Sequence, residues 1–251
     1  SSDLPYFKPD FAPDLLLGQN LVSHLGVYRR DLLTAIGGLR EGFEGSQDHD
    51  LALRAVAACG AERVRHIPAV LYHWRQAAGP ASFSEANLVR CVDAARRAVA
   101  EHLAARGACA EVTTAPLAPI HLRVVWPLPD PAPLVSVIVP TRDRADLLRR
   151  CVDGLLHRTD YGPIEVLIVD NGSEEARTHE LFATLVRDVR VRILPMPGPF
   201  NYSRLNNRAA AEAQGEVLLL LNNDTEVIEP GWMREMVSHA VRPEIGAVGC
   251  K

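Results

Sequence analysis

From Leu134 onward the chain alternates short β-branched apolar runs with longer stretches whose apolar residues recur at helical spacing, and few architectures accommodate that rhythm. Leu134 to Val139 (LVSVIV), Ile164 to Val169, Val191 to Leu194, Val217 to Leu221 and Ile245 to Val248 read as strands. Runs this apolar, without polar alternation, suit parallel strands covered on both faces. Between them, Asp146 to His157 sets Leu147, Leu148, Val152, Leu155 and Leu156 on one helical face. Ala176 to Val186, Tyr202 to Gln214 (stopped by Gly215) and Trp232 to Ala240 are further helices. Strands and helices alternating over short connections predict an α/β fold with a doubly wound, mostly parallel sheet.

Upstream the rhythm differs. Pro127-Leu128-Pro129-Asp130-Pro131-Ala132-Pro133 holds four prolines in seven residues, which strips backbone donors and favours extended chain, so a joint is expected there. Before it, Leu21 to Tyr28 reads as a strand and Arg30 to Ile36 as a short helix. Ser46 is placed to cap a helix running to Cys59, with Gly60 beyond its end. Val64 to Trp74 reads as one or two strands, Ser82 to Glu85 as a capping box opening a helix that ends at Gly107, and His121 to Trp126 as a short strand. The division expected is 1–80, then a linker helix, short strand and Pro-rich joint over 81–133, then 134–251.

Composition removes several function classes. With 27 basic and 31 acidic side chains the net charge is −4 and no basic block is present, which argues against nucleic acid as a partner. The longest strongly apolar run, Val217 to Leu221, is far below the ~20 residues of a membrane-spanning helix. Five scattered cysteines without a Cys-x-x-Cys pair suit buried thiols in a reducing cytosol better than a disulfide framework. The chain opens Ser1-Ser2-Asp3 and stops at Gly249-Cys250-Lys251, just after an apolar run, so a fragment of a longer protein is expected.

In open α/β sheets ligands bind beyond the carboxyl ends of the strands. Those ends carry Pro140-Thr141-Arg142-Asp143-Arg144, Asp170-Asn171-Gly172-Ser173 and Asn222-Asn223-Asp224-Thr225-Glu226. Neither a Gly-x-Gly-x-x-Gly turn nor a phosphate-cradling Gly-x-x-x-x-Gly-Lys-Ser/Thr loop is present, which disfavours dehydrogenases and ATPases. Acids at strand tips suit a ligand offering hydrogen-bond donors, or a hard cation. Each motif alone has a structural explanation: Asp-Asn-Gly and Asn-Asn-Asp are turn formers. Asp48 and Asp50 in a first helical turn complement the helix dipole, and His73 beside Trp74 fits a half-buried strand histidine.

The order of these pieces is what distinguishes them. LVSVIVPTRDR, the turn VDNGS, FNYSRLNNRAAAEAQGEVLLLLNND and EPGWM, in that order, resemble the nucleotide-binding half of family-2 glycosyltransferases of the glycosyltransferase A fold. Residues from about 13 to 75, through GVYRRDLL, GGLREGFEGSQDHDLALR and HIPAVLYHWR, are similar to the acceptor-side half of the same family. The resemblance implies that Asp170 accepts a hydrogen bond from the base of a nucleotide-diphosphate sugar. Thr141, Arg144 and Asn207 would line that pocket, and Asn222 would stand where the family usually has the first acid of its Asp-x-Asp motif. Asp224 would bind Mg²⁺ or Mn²⁺. Asp48 would be the base that takes the acceptor hydroxyl's proton in inverting members, although Gln47 replaces the Glu that commonly precedes it. His73 would supply a late metal ligand and Arg75 would contact the diphosphate.

One departure shapes the expectation. In a single domain of the family the nucleotide half comes first, whereas here Asp48 precedes Asp224. A tandem protein explains this: the tail of one transferase domain, a linker, and the head of the next, with a permuted domain or exchanged halves as alternatives. On the tandem account this chain alone is inactive. The reaction implied is metal-assisted, inverting transfer of a sugar to the hydroxyl of a glycan or lipid-linked saccharide in cell-surface polysaccharide synthesis. Its setting would be cytoplasmic, with room for peripheral association at the inner face of a membrane. A non-catalytic module for glycan binding or assembly is the alternative, and the Asn222 and Gln47 replacements favour it.

Overall fold

The β-branched runs after the proline-rich segment do become the centre of a parallel sheet. The structure, a computed structural model, describes residues 7–73 and 87–250. The chain divides into two compact units, Ser1–Trp126 and Pro127–Lys251.

In the second unit, strands β3 (Val135–Thr141), β4 (Ile164–Asp170), β5 (Val191–Pro195) and β6 (Val217–Leu220) form a four-stranded parallel sheet in the order β5-β4-β3-β6. Val135 pairs with Ile164 and Thr141 with Asp170, while Val135 to Ile138 pair with Val217 to Leu220. The connecting helices are α5 (Ala145–His157), α6 (Ala176–Leu185) and α7 (Tyr202–Glu212), and α8 (Trp232–Ala240) follows β6. One face of the sheet, through Val135, Val137, Val139, Val166 and Ile168, packs on Leu148, Val152 and Leu155 of α5, Leu181 of α6 and Met233 of α8. The other, through Ile138, Leu167 and Val169, packs on Leu205 and Ala209 of α7. Covering both faces makes the sheet doubly wound, as its uninterrupted apolar strands require.

At the amino end of this sheet a polar knot aligns three strands. Glu165 accepts from Ser136 Oγ at 2.5 Å and from the Gln214 amide at 2.6 Å, and Ser136 Oγ accepts from the Gly215 amide at 2.8 Å. A β-carbon on Gly215 would lie 2.6 Å from the Leu134 carbonyl oxygen, so only glycine lets the chain enter β6 there. Burial raises the Glu165 carboxyl, but Ser136, the Gln214 amide and Arg192 outweigh it and hold the group below its ordinary range.

The first unit is α+β. It contains α1 (Pro13–Gly18), α2 (Arg30–Ala35), α3 (Gln47–Cys59), α4 (Leu88–Ala105) and an antiparallel pair, β1 (Glu111–Ala115) with β2 (Ala118–Val125). Leu16, Leu17, Ala52, Leu53, Ala98, Val99, Leu103, Val112 and Leu122 make one core, so the helix and the short strand expected in a linker pack into this unit. Ser46 stands at the start of α3, yet its hydroxyl donates to the Cys91 carbonyl at 2.8 Å instead of capping the helix.

Three expected strands are not formed. Residues 21–28, the described part of 64–74 (64–73), and 245–248 are irregular. Leu25, Val27, Ile67, Val70 and Leu71 are exposed, and no ladder among the described residues pairs with these segments. A β-prone run without a neighbouring backbone has no reason to become a strand. The Ser82–Glu85 capping box and Arg75 lie outside the described residues. All five cysteines are free; Cys91 and Cys151 are buried, as expected, but Cys109 and Cys250 are exposed. Among the described residues no helix is long and apolar enough to cross a membrane.

Candidate functional site

In the order β5-β4-β3-β6 the direction of winding reverses between β3 and β6, and it is outside the carboxyl ends at such a reversal that open α/β sheets bind ligands. Thr141 ends β3 at that point and is buried. Its hydroxyl accepts from Asn223 Nδ2 at 2.9 Å, and its register partner across the ladder is Asp170. The turn carrying Asp170 and the turn carrying Asn222 and Asp224 thus flank one residue.

Asp170 holds its own turn. Its Oδ1 accepts from the Ser173 amide at 2.9 Å and the Ser173 hydroxyl at 2.6 Å, the self-bonding turn that Asp favours. Gly172 takes φ 78° within that turn, a region open to glycine. Asp143, which the sequence reading did not single out, ties the β3 and β4 loops together. Its amide donates to Ser173 Oγ at 2.8 Å, and its carboxylate accepts from the Glu174 and Glu175 amides, both at 2.8 Å. The Glu175 and Glu174 amides hold the Asp143 carboxyl below its ordinary range. Asp143 and Arg144 sit at φ 55° and 57°, left-handed positions that cost energy for non-glycine residues and cluster at functional loops. Two adjacent left-handed residues are the signal that a propensity reading overlooks.

Beside these tips lies an open cleft of about 510 Å³, lined by Arg142, the turn from Asn171 to Glu174, and the loop from Pro197 to Pro199. Arg142 reaches Glu174 at 3.3 Å in an exposed ion pair. Arg144 is exposed at the head of α5, and Asn207 is exposed on α7, where its neighbour Asn206 is the buried one.

Asp224 is exposed in the turn after β6, and no hydrogen bond or ion pair engages its carboxylate among the described residues. The turn is pinned from below: Thr225 Oγ donates to the Asn222 carbonyl at 2.9 Å, and Cys151 Sγ on α5 approaches that carbonyl at 3.7 Å. Burial raises the Cys151 thiol, and Asp224 adds to this while Thr225 opposes it. Among the described residues no three His, Cys, Asp or Glu side chains converge as a metal-binding set. The donors at hand, one carboxylate and one amide, fit a hard cation only if phosphate oxygens complete its shell, the usual habit of Mg²⁺.

The other candidates belong to the first unit. Asp48 lies in the first turn of α3, half-buried, with its carboxylate accepting from the His49 amide at 3.0 Å. Its nearness raises the Tyr28 hydroxyl, after burial as the larger cause. Asp50, two residues on, is a structural group: Arg40 and Arg54 both bind it. His49 is buried with Nε2 2.6 Å from the Leu16 carbonyl; burial pushes its pKa down, and the neutral ring donates there. His73 is exposed in the irregular stretch at the end of the described segment.

Residues 136–251 match the model of Glycosyl transferase family 2. The O-antigen biosynthesis protein RfbC of Myxococcus xanthus is 49% identical over 247 residues, covering 98% of this chain and 19% of the relative. The uncharacterized protein y4gI of Sinorhizobium fredii is 46% identical over 248 residues, 98% of this chain and 27% of its own length. The chain therefore spans about a quarter or less of these relatives. Among solved structures, the mannosyltransferase PcManGT from Pyrobaculum calidifontis, in complex with GDP-Man and Mn²⁺, aligns at a TM-score of 0.45 and 25% identity, over 50% of this chain and 38% of that one. The family match thus falls on the second unit: residues 136–251, which take in nearly all of its parallel sheet, belong to glycosyl transferase family 2.

Proposed function

We propose that the second unit is the nucleotide-sugar half of a glycosyltransferase and that the first is the acceptor-side half of another domain in a tandem arrangement. The observation that carries the donor-site reading is the meeting of the Asp170 turn and the Asn222–Asp224 turn about Thr141, at the reversal of the sheet. In this reading Asp170 keeps Oδ1 for its own turn and offers its other carboxylate oxygen to a donor on the nucleobase. Arg144 and Asn207 contribute to the same pocket, and Arg75 to the diphosphate.

Asp224 and the Asn222 amide would hold Mg²⁺ or Mn²⁺ together with the diphosphate, with His73 as a later ligand in a complete domain. That ion would offset the charge on the nucleoside diphosphate as it leaves. An acid in the position of Asp48 takes the proton from the acceptor hydroxyl as it attacks the anomeric carbon from the opposite side, which inverts that centre. Support for the tandem account comes from the relatives: both align across the two units while this chain covers 27% and 19% of their lengths, so the same order of halves stands within longer chains. Asp48 and Asp224 then serve different sites, and the 251-residue chain alone transfers no sugar at a measurable rate. Cell-surface polysaccharide is the proposed setting, in keeping with the O-antigen relative. Its acceptor would be a glycan or lipid-linked saccharide, met in the cytoplasm or at the inner membrane face. The thinness of the donor set at Asp224 is what favours the second reading, a non-catalytic glycan-binding or assembly module.

The test is titration of the chain with uridine, thymidine and guanosine diphosphates, with and without Mn²⁺, followed by ligand-observed NMR. Weak, saturable binding of one of them is expected, strengthened by Mn²⁺ in the wild type but not in Asp224→Ala, and lost in Asp170→Ala. Binding of none would refute the donor-site assignment.

A further inference from the structure

The segment Pro195-Met196-Pro197-Gly198-Pro199, which leaves the end of β5, lines the cleft through Pro197, Gly198 and Pro199, and it is poor in means of holding itself. Three of its five residues lack a backbone N–H, and the Met196 amide is spent on the Asp170 carbonyl at 2.7 Å. Its carbonyls are instead gripped from outside. Asn171 Nδ2 donates to Met196 at 2.9 Å and to Gly198 at 3.1 Å, and Arg204 Nη2 donates to Pro199 at 3.2 Å. Asn171 is 2% exposed, and its Oδ1 has no partner among the described residues. A buried acceptor left unpaired weakens the fold, so stability alone does not account for an amide there. Arg204 is itself oriented by Asn201, whose side chain accepts from the Arg204 amide at 2.9 Å at the head of α7.

We propose that Asn171 and Arg204 are positioning residues that hold this proline loop as a preformed wall against which the base of a nucleoside diphosphate packs. Arg142 lines the same cleft, so the guest would meet both proline rings and a guanidinium, and flat heterocycles stack on guanidinium planes. The inference rests on the donor-site reading but makes a separate demand: the clamp must matter to the base and not to the phosphates.

The experiment compares wild type, Asn171→Asp, Arg204→Met and Arg204→Lys for binding of uridine diphosphate and of inorganic pyrophosphate, with hydrogen exchange at the Met196 amide. Asp at 171 turns a donor into an acceptor facing two carbonyls. Nucleoside diphosphate affinity should fall about five- to tenfold in Asn171→Asp and Arg204→Met, the weight of one or two hydrogen bonds. Arg204→Lys should retain most of it, pyrophosphate binding should be unchanged throughout, and Met196 should exchange faster in Asn171→Asp. Arg204 is exposed, so its variants report even if Asn171→Asp unfolds. Equal nucleotide affinity in wild type and both disruptive variants, or a matching loss for pyrophosphate, overturns this inference alone. A wild-type chain that binds no nucleotide overturns the donor-site reading and this inference with it.

Discussion

Asp50 offers the sharpest quantitative test of the first unit. Its side chain is 2% exposed, and its two oxygens take Arg40 on one side and Arg54 on the other, the latter at 2.8 and 2.9 Å. Arg54 also donates to the Ile36 and Gly38 carbonyls, at 2.8 and 2.6 Å, and Arg40 reaches Glu101 at 2.8 Å. Asp50→Ala therefore removes the common counterion of two guanidinium groups and loosens the 36–40 turn together with α3. Removing one partner of a buried pair costs about 3 to 5 kcal/mol. The arginine side chains are 37% and 20% exposed and regain some water, so the loss should be near the lower end, about 3 kcal/mol. For a unit of this size that lowers the unfolding midpoint by roughly 10 °C.

Urea denaturation read by hydrogen exchange of the α3 amides isolates the effect. The pH dependence gives a second check. Burial raises the Asp50 carboxyl, but the hydrogen bonds and charges of Arg40 and Arg54 prevail and its folded pKa lies below the ordinary value. Its stabilisation is thus complete above the unfolded carboxylate range and is lost as pH falls through the folded pKa; Asp50→Asn should remove that acid-side slope. A loss under about 1 kcal/mol, with the slope unchanged, would refute the view that this triad holds α3 in place.

Further outcomes can be stated for the rest of the chain. Gly215→Ala should destabilise the second unit by about 1 to 3 kcal/mol in thermal melts, because the added carbon meets backbone on two sides. Asp143→Ala should speed hydrogen exchange at the Glu174 and Glu175 amides, which both donate to its carboxylate. Under native conditions a thiol reagent should label Cys109 and Cys250 promptly and leave Cys91 and Cys151 protected until denaturant is added, as mass spectrometry of the labelled peptides would show.

The centre of the second unit was legible in its sequence because β3 and β4 are buried almost throughout, so apolar runs and sheet coincide there; β4 is expected over 164–169 and found over Ile164–Asp170, whereas the run at 245–248 forms no strand. The first unit was not, because its β-prone runs depend on partners. Val64 to His73 has the composition of a strand but stays irregular with Ile67, Val70 and Leu71 in solvent. Pro13–Gly18 becomes helical only through burying Leu16 and Leu17, a tertiary effect no local spacing announces. At the site, Asp170 and Asp224 could be named from their place after strands. Asp143 and Asn171 could not, since their bonds reach residues about 25 to 32 positions away that only the folded chain brings near.

The knot of Asp143, Ser173 and Asp170 joins two loops that would otherwise move independently. A guest arriving at the cleft therefore meets a floor that was ordered when the chain folded, and association there freezes few additional torsions. Differences in affinity among guests should then appear in how long they stay, with encounter rates nearly constant.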